Sequence, residues 1–213
     1  MGSSTAYHRL RAEPSLSVVV VERDASYQHA STVLSDGNVR IQFNLEENIR
    51  ISQHAMDVLR TFDDDMATAA YRPEVAARHQ GNLFLSDDAG HGAAIAGVNL
   101  QTSLGCDVEW IDAAEIGSRW PPYRSEGLAG GTFAQTDGSV DPNAVLRGYR
   151  NQAVELGAEY VEDEVVEVLA SDGRVRGPES VRGTSLRTWW WPPQAPGPRI
   201  WCDHWVSTSR SAR

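Results

Sequence analysis

Gly2 and Glu22 have the residue types and the spacing of part of a nucleotide-binding site. A dinucleotide-binding fingerprint runs from a strand through G-x-G-x-x-G into a helix, and a second strand then ends near an acid about 20 residues on. Gly2 stands where the third glycine belongs, and no strand or earlier glycine pair precedes it in this sequence. A carboxylate at Glu22 can accept both hydroxyls of an adenosine ribose. It also repels a 2′-phosphate, which favours FAD or NAD over NADP.

The elements around these residues suit such a site. Residues 3–11 predict a helix, because Ala6 and Leu10 lie four apart on one face. The continuous β-branched run of residues 16–21 predicts a parallel strand that is buried on both faces and ends at Glu22. The alternative interpretation is a surface helix followed by an ordinary strand that ends in a charge.

Composition excludes several classes of function. The net charge of −10 argues against nucleic acid or an anionic membrane as a partner, and all 19 basic residues are arginine. No apolar run approaches the roughly 18 residues of a membrane span, and no signal peptide is visible. Cys106 and Cys202 stand far apart, which indicates no disulfide framework and favours a cytoplasmic protein. The six histidines lack metal-ligand spacing, so we expect no metal site.

The middle of the chain predicts alternating helices and strands. Asn44 and Glu47 form a capping box before a helix over residues 45–62, and we expect Asp63, Asp64 and Asp65 to form a solvated turn. Strands are predicted at 81–85, 108–111, 128–134, 158–161 and 165–169, and helices at 93–104, 113–120 and 142–156. Gly105 is expected to end one helix, Asp112 to cap another, and residues 171–173 to form a hairpin turn.

The character of the chain changes from about Pro178. Five of the seven tryptophans follow it, among four prolines and with no helical or strand period. This tail carries five arginines against two acids, whereas the rest of the chain is strongly acidic. We interpret residues 178–213 as an aperiodic tail that was not selected to fold; an aromatic binding segment is the alternative.

Through three motifs spread along its sequence, the chain resembles the D-amino-acid-oxidase-like family of FAD-dependent oxidoreductases. This family includes sarcosine, dimethylglycine and glycine oxidases. The resemblance covers about residues 1–177. Its three anchors are Gly2-x-x-x-Ala6-x-x-x-Leu10 leading to Val20-Val21-Glu22, the segment from Ala30 to Arg40, and Gly130-Gly131-Thr132-Phe133 through Asp137-Gly138-Ser139-Val140-Asp141-Pro142 to Ala153-Val154-Glu155-Leu156-Gly157-Ala158.

The resemblance implies an α/β fold with an α+β insertion. Its FAD-binding domain would be Rossmann-like, of the glutathione-reductase type, here without its first strand and joined to part of a mixed-sheet substrate domain. The implied domains are 1–44 as a partial FAD-binding βαβ unit, 45–135 as a substrate-domain-like insertion, 136–177 as a return to the FAD-binding domain, and 178–213 as the tail. We expect a chain truncated at both ends, one that folds poorly alone and binds FAD weakly or not at all.

The resemblance also implies which residues contact FAD. Glu22 takes the position of the ribose acid and Arg23 follows it. Ser31 and Thr32 match the phosphate loop, where small hydroxyls and free N–H groups suit a pyrophosphate. The remaining candidates are Gly2 at the helix start, Gly37 and Arg40 near the flavin or substrate carboxylate, and Val165, whose backbone would hold the adenine. An ordinary turn-rich loop and a plain core strand are the alternatives for these segments.

The implied function is oxidation of the CH–NH bond of a small amine or amino acid, with hydride transfer to the flavin and hydrolysis of the resulting imine. No catalytic residue can be named from this sequence, nor can the substrate, the electron acceptor or the oligomeric state. Two alternatives remain open. One is an NAD-dependent Rossmann dehydrogenase, and the other is a non-catalytic remnant that binds a partner through its tryptophan-rich tail.

Overall fold

The computed structural model describes residues 1–171, 174–181 and 205–210, with side chains for 1–171 and 177–181. The described residues form two compact units. Unit 1 contains Met1–Ser35, Asp63–Glu74 and the described residues from Pro142 onward, and unit 2 contains Asp36–Phe62 and Val75–Asp141. The four domain ranges expected from the sequence stay predictions. The hairpin turn expected at 171–173 lies largely outside the described residues.

The elements follow one another along the chain as helices and strands of mixed length. They are α1 (Gly2–Ala12), β1 (Leu16–Glu22), β2 (Asn38–Val39), α2 (Glu46–Asp65), β3 (Asn82–Ser86), α3 (His91–Ser103), β4 (Glu109–Asp112), α4 (Ala113–Arg119), β5 (Gly130–Ala134), β6 (Gly138–Ser139), α5 (Pro142–Glu155), β7 (Glu159–Glu162), β8 (Val165–Ser171), β9 (Arg174–Ser180) and β10 (Trp205–Arg210).

Unit 1 is built on a three-stranded sheet in the order β10-β1-β7. Strand β1 pairs with β7 in parallel, as its β-branched, buried sequence predicts. Helix α1 packs on β1 and α5 through Ala6 and Leu10, which are 0% and 2% exposed. The helix and strand predicted for residues 3–11 and 16–21 are therefore confirmed. A separate two-stranded sheet, β8-β9, completes the described part of the unit.

The structure has strands in two segments of the tail that the sequence predicts to be aperiodic. Strand β9 continues to Ser180, and residues 205–210 form β10, which pairs antiparallel with β1 from Leu16↔Arg210 to Val21↔Trp205. An unpaired strand edge presents a row of free N–H and C=O groups, and a segment with β-formers such as Val206 and Thr208 can satisfy them. The rest of the predicted tail, 182–204 and 211–213, lies outside the described residues.

Unit 2 contains an antiparallel sheet in the order β3-β5-β4 and the short pair β2-β6. Its core is a cluster of side chains that are at most 8% exposed: Ile41, Ile49, Cys106, Val108 and Ala134. Helix α2 contributes Ile49 to this cluster, and Met56, about two turns later on the same face, packs against it.

The turn predicted for Asp63, Asp64 and Asp65 is wrong, because α2 continues to Asp65. Phe62 and Met66, which flank the three aspartates, are 1% and 3% exposed. Buried apolar side chains on both sides of the acidic run favour continued helix, whereas the run taken alone is typical of a turn. Across the described residues, even this 20-residue helix lacks the apolar character that a membrane crossing requires.

Two predicted helix boundaries are confirmed. Gly105 follows α3 with φ +83°, a left-handed conformation that glycine adopts without strain. Asp112 is the N-cap of α4, and its Oδ1 accepts a hydrogen bond from the Glu115 N–H at 2.8 Å.

Candidate functional site

Glu22 lies at the carboxyl edge of the parallel β1–β7 pair, where its register partner is Glu162. Its side chain is 6% exposed, and Oε1 accepts a hydrogen bond from the Asp24 N–H at 3.1 Å. The Glu22 carbonyl accepts from the Asp163 N–H, which ties the two strand ends together. Ligands of open parallel sheets bind outside the carboxyl ends of the strands. The structure therefore places this buried carboxylate at the edge of the sheet where ligands of such folds bind.

Gly2 is the buried first residue of α1. A three-residue turn joins α1 to β1, so the N-terminus of the helix lies toward the carboxyl end of the strand. The neighbouring Ser3, 2% exposed, accepts a hydrogen bond from the Tyr160 hydroxyl of β7 at 3.0 Å. Helix α1 has no side-chain cap and no acid in its first turn. Its leading N–H groups therefore remain available to an anion.

The loop after Glu22 begins with the exposed Arg23, and the last of its turns begins at Ser31 and Thr32. The N–H groups of Val33 and Leu34 donate to the Ala30 carbonyl at 2.9 and 3.1 Å. Within the described ranges, the N–H groups of Ser31 and Thr32 donate to no protein oxygen. This loop therefore presents free amide donors beside two small hydroxyl side chains, which is chemistry that suits a phosphate.

Val165 is half-buried and begins β8, three residues after the end of β7. It pairs with Ser180 of β9 in the antiparallel register. Asp163, 3% exposed, fixes this connection by accepting hydrogen bonds from the Ser180 hydroxyl at 2.6 Å and from the Glu164 N–H at 2.8 Å. Val165 therefore lies three residues beyond Glu162, the residue of β7 that is in register with Glu22.

An arginine that the sequence did not single out lies between two tyrosines of unit 1. The Arg150 guanidinium carbon is 4.8 Å from the centre of the Tyr160 ring. Burial raises the pKa of Tyr160 to about 12, against the lowering effect of its Ser3 hydrogen bond and of the Arg150 charge. Burial also raises the pKa of Tyr27, which Arg150 opposes. Both phenols are therefore neutral at physiological pH.

Arg40 is exposed and lines a cavity of unit 2 of about 680 Å³. Its guanidinium carbon lies 4.7 Å from the centre of the Phe43 ring and 5.2 Å from that of Phe84. Within the described residues no carboxylate forms an ion pair with it. An arginine held over aromatic faces keeps its planar row of N–H donors for a carboxylate or phosphate.

Asp137 anchors the segment that carries Arg40. Its side chain is 0% exposed and accepts hydrogen bonds from the Ile41 N–H at 2.9 Å and from the Gln42 side chain at 3.0 Å. Asn82 donates to the same carboxylate at 3.5 Å. Burial raises the pKa of Asp137, against the lowering effect of these donors and of the Arg40 charge.

Gln42 links this carboxylate to the neighbouring sheet. Its amide also donates to the Asn82 carbonyl at 3.0 Å, and its Oε1 accepts a hydrogen bond from the Thr132 hydroxyl at 2.6 Å. The side chains of Asn38 and Asn82 exchange hydrogen bonds at 3.0 and 3.1 Å. The residues on both sides of Arg40 are thus bound to fixed partners.

A second cavity of unit 2, of about 570 Å³, contains Cys106. The thiol accepts a hydrogen bond from the Gln53 amide at 3.4 Å, and burial raises its pKa. A thiol with a raised pKa is protonated and a poor nucleophile near neutral pH. In the part of the chain that the structure describes, no three His, Cys, Asp or Glu residues are grouped closely enough to hold a metal ion.

The predicted cofactor-binding residues fall into two groups. Unit 1 contains Gly2, Glu22, Arg23, Ser31, Thr32 and Val165, and unit 2 contains Gly37 and Arg40. Gly37 is buried with φ +73°, and its carbonyl accepts from the Val140 N–H at 3.0 Å. Sequence reasoning missed Arg150 and the Asp137 network. The motif around Asp137 indicated only a turn, since no local pattern marks a carboxylate as buried.

The chain is similar to known proteins in both sequence and structure. The model of the DAO family, described as "FAD dependent oxidoreductase", matches residues 1–188. The chain is 29% identical over 191 residues to FAD-dependent oxidoreductase domain-containing protein 1 of Bos taurus, covering 87% of this chain and 39% of that protein. The Drosophila melanogaster homolog is 32% identical over 171 residues, with coverage of 78% and 32%. The chain thus spans between about a third and two fifths of the length of these curated relatives.

Solved structures show the same fold. Glycine oxidase from Geobacillus kaustophilus superposes with a TM-score of 0.69 at 13% identity, over 85% of this chain and 49% of the enzyme. L-proline dehydrogenase from P. horikoshii has a TM-score of 0.66 at 22% identity, over 84% and 46%. These structural similarities show the fold, and the family match over most of the sequence confirms the resemblance to FAD-dependent oxidoreductases. The chain belongs to the DAO family of FAD dependent oxidoreductases.

Proposed function

We propose that this chain supplies part of an FAD-dependent oxidoreductase that acts on the CH–NH bond of a small amine or amino acid. The observation that carries the proposal is the buried Glu22 carboxylate at the carboxyl edge of β1, beside the uncapped N-terminus of α1. These groups suit the two ends of an adenosine diphosphate, because a carboxylate accepts ribose hydroxyls and helix N–H groups attract phosphate.

Different residues of unit 1 would contact different parts of the cofactor. Glu22 binds the adenosine ribose, and the N–H groups at Gly2 and at Ser31 and Thr32 bind the pyrophosphate. The backbone of Val165 contacts the adenine, and Arg23 offers a positive charge beside the ribose. A bound FAD would supply the two-electron acceptor that no protein side chain provides. Unit 1 in this proposal is part of an FAD-binding domain of the Rossmann type, and unit 2 is part of the substrate domain.

The substrate class is proposed from the relatives and from Arg40. The structural relatives include proteins named for glycine, iminodiacetate and L-proline, all of which carry a carboxylate beside an amine. In unit 2 the Arg40 guanidinium lies over two aromatic rings in a cavity and presents donors for such a carboxylate. The substrate amine would be oxidised to an imine and then hydrolysed.

Binding of adenine nucleotides to the purified chain tests the proposed nucleotide-binding role of unit 1. We expect saturation-transfer NMR to show binding of AMP, and weaker binding of adenosine 2′,5′-bisphosphate, because its additional 2′-phosphate meets the Glu22 carboxylate. Glu22→Gln should weaken AMP binding and reduce the discrimination between the two nucleotides. The matched control is Glu162→Gln, which changes the exposed acid in register with Glu22. Equal binding of the two nucleotides to the unmodified chain would refute the assignment.

Reduction of FAD by added amines tests the proposed reaction and its substrate class. The full chain is mixed with FAD anaerobically, and glycine, sarcosine or L-proline is added. Loss of the visible absorbance of oxidised flavin, faster than with free FAD, supports an amine oxidoreductase. Binding of FAD with no reduction by any of these amines counts against the proposed substrates and leaves the nucleotide assignment intact.

A further inference from the structure

The position of Arg40 depends on a carboxylate elsewhere in the sequence. Arg40 makes two contacts with aromatic rings, and neither ring fixes the direction of its backbone. The next two residues supply that direction, because the Ile41 N–H and the Gln42 amide both donate to Asp137. These bonds span 96 and 95 residues of sequence, so they join segments that local structure does not hold together.

Burial of an ionised carboxylate at a site that is 0% exposed has a large free-energy cost. The cost is offset only where donors converge on it, and three do so here. An asparagine at this position could accept from one donor. Its own NH₂ group would then face the N–H of the other, leaving a buried donor without an acceptor. The acceptor-only chemistry of aspartate is therefore what allows both residues after Arg40 to be bound at once.

We propose that Asp137 is the positioning residue for Arg40. Its buried carboxylate holds Ile41 and Gln42 so that the Arg40 guanidinium stays over the rings of Phe43 and Phe84, with its donors open to the cavity. The ligand class is a carboxylate, and this part of the inference rests on the proposed amino-acid substrate. Asp137 itself touches no ligand.

Removal of the carboxylate separates positioning from simple electrostatics. If Asp137 acted only through its charge, Asp137→Asn would strengthen anion binding at Arg40, because a nearby negative charge would be gone. If it positions Arg40, the same change weakens anion binding, because the guanidinium leaves its site. The two roles therefore predict opposite signs for one substitution.

NMR of the arginine side chains in the full chain measures both position and binding. We expect the Arg40 side-chain protons of the unmodified protein to be shifted upfield by the rings of Phe43 and Phe84, and the shift to collapse in Asp137→Asn. Titration with sodium acetate should move the Arg40 Nε–H resonance saturably, with affinity about tenfold lower in the variant, as expected for loss of a charge-assisted hydrogen bond. Asp107→Asn, an exposed charge change in the same unit, is the control and should alter neither readout.

A second variant, Thr132→Val, tests the inference if Asp137→Asn does not fold. It removes the hydroxyl that donates to Gln42 and leaves the Asp137 carboxylate in place, so it should give a smaller change in the same direction. An unchanged ring-current shift in both variants, or tighter acetate binding in Asp137→Asn, overturns the inference. If the shift collapses but the unmodified chain binds no acetate, Asp137 still positions Arg40, and it is the proposed substrate carboxylate that fails.

Discussion

Gly138→Ala should be among the most destabilising single-methyl additions in unit 2. A Cβ at this position would overlap the Arg78 carbonyl oxygen and lie 2.8 Å from the Arg78 carbonyl carbon and 3.2 Å from the His79 Cα. Ordinary contacts between carbon atoms are about 3.5–4.0 Å. All three neighbours are backbone atoms, so no side-chain rotation can relieve the overlap.

The cost follows from what must move. Residues 78 and 139 exchange two backbone hydrogen bonds, at 2.9 and 3.0 Å, and separating the chains weakens both. Overpacking strain of about 1–3 kcal/mol and two hydrogen bonds of about 1 kcal/mol each give a loss of about 3–5 kcal/mol. For a chain of this size, that corresponds to a fall of about 6–20 °C in Tm.

Thermal unfolding followed by far-UV circular dichroism measures the loss, and amide exchange at Arg78 and Ser139 locates it. Gly92→Ala is the control, since a Cβ on Gly92 meets nothing within 4 Å and alanine is the better helix former. We expect the control to keep or slightly raise Tm. A Gly138→Ala protein as stable as the unmodified chain, with unchanged exchange at both amides, would refute the reasoning.

Three further predictions concern capping, thiol reactivity and pH. Asp112→Ala removes the N-cap acceptor of α4 and should cost about 0.5–2 kcal/mol in urea unfolding, whereas Asp112→Asn should recover most of it; equal losses in the two variants would contradict the capping role. In a Cys202→Ser background, iodoacetamide at pH 8 should modify Cys106 much more slowly than in urea, because burial raises the pKa of this thiol; fast labelling of the folded protein would show that the thiol is accessible. The folded-state pKa of Tyr160, about 12, lies above its ordinary value of 10.0, so the neutral phenol stabilises the fold below pH 10 and this contribution falls as pH rises toward 12. Tyr160→Phe should flatten that decline in stability measured by urea unfolding, and an identical pH profile would argue against it.

The start of the chain was predictable because its signals are local. The period of Ala6 and Leu10 and the β-branched run before Glu22 specify a helix and a buried strand without knowledge of their partners. The cap at Asp112 is likewise determined by residues within one turn. Where neighbours along the sequence settle the structure, the predicted elements were confirmed to within a few residues.

The remainder could not be predicted, because its causes lie far along the sequence. Asp137 looks like a turn residue until Ile41 and Gln42 are placed against it, and only then is it a buried acceptor. Residues 205–210 look aperiodic until the edge of β1 is available to pair with them. Arg40 was identified from a family motif, but one of the two rings beside it, Phe84, lies far along the sequence in β3.

The pairing of β1 on both edges has a consequence for how the chain folds. Its partner β7 begins 137 residues after the end of β1, and the register with β10 joins Leu16 to Arg210. Pairings of such large sequence separation carry a high loop-closure entropy and form slowly. During synthesis the most apolar strand of unit 1 therefore emerges before both of its partner strands and stays unpaired until they have been made. An apolar edge exposed for that long invites association with other chains, so the yield of folded protein should depend on translation speed and chaperone supply more than on the stability of the final fold.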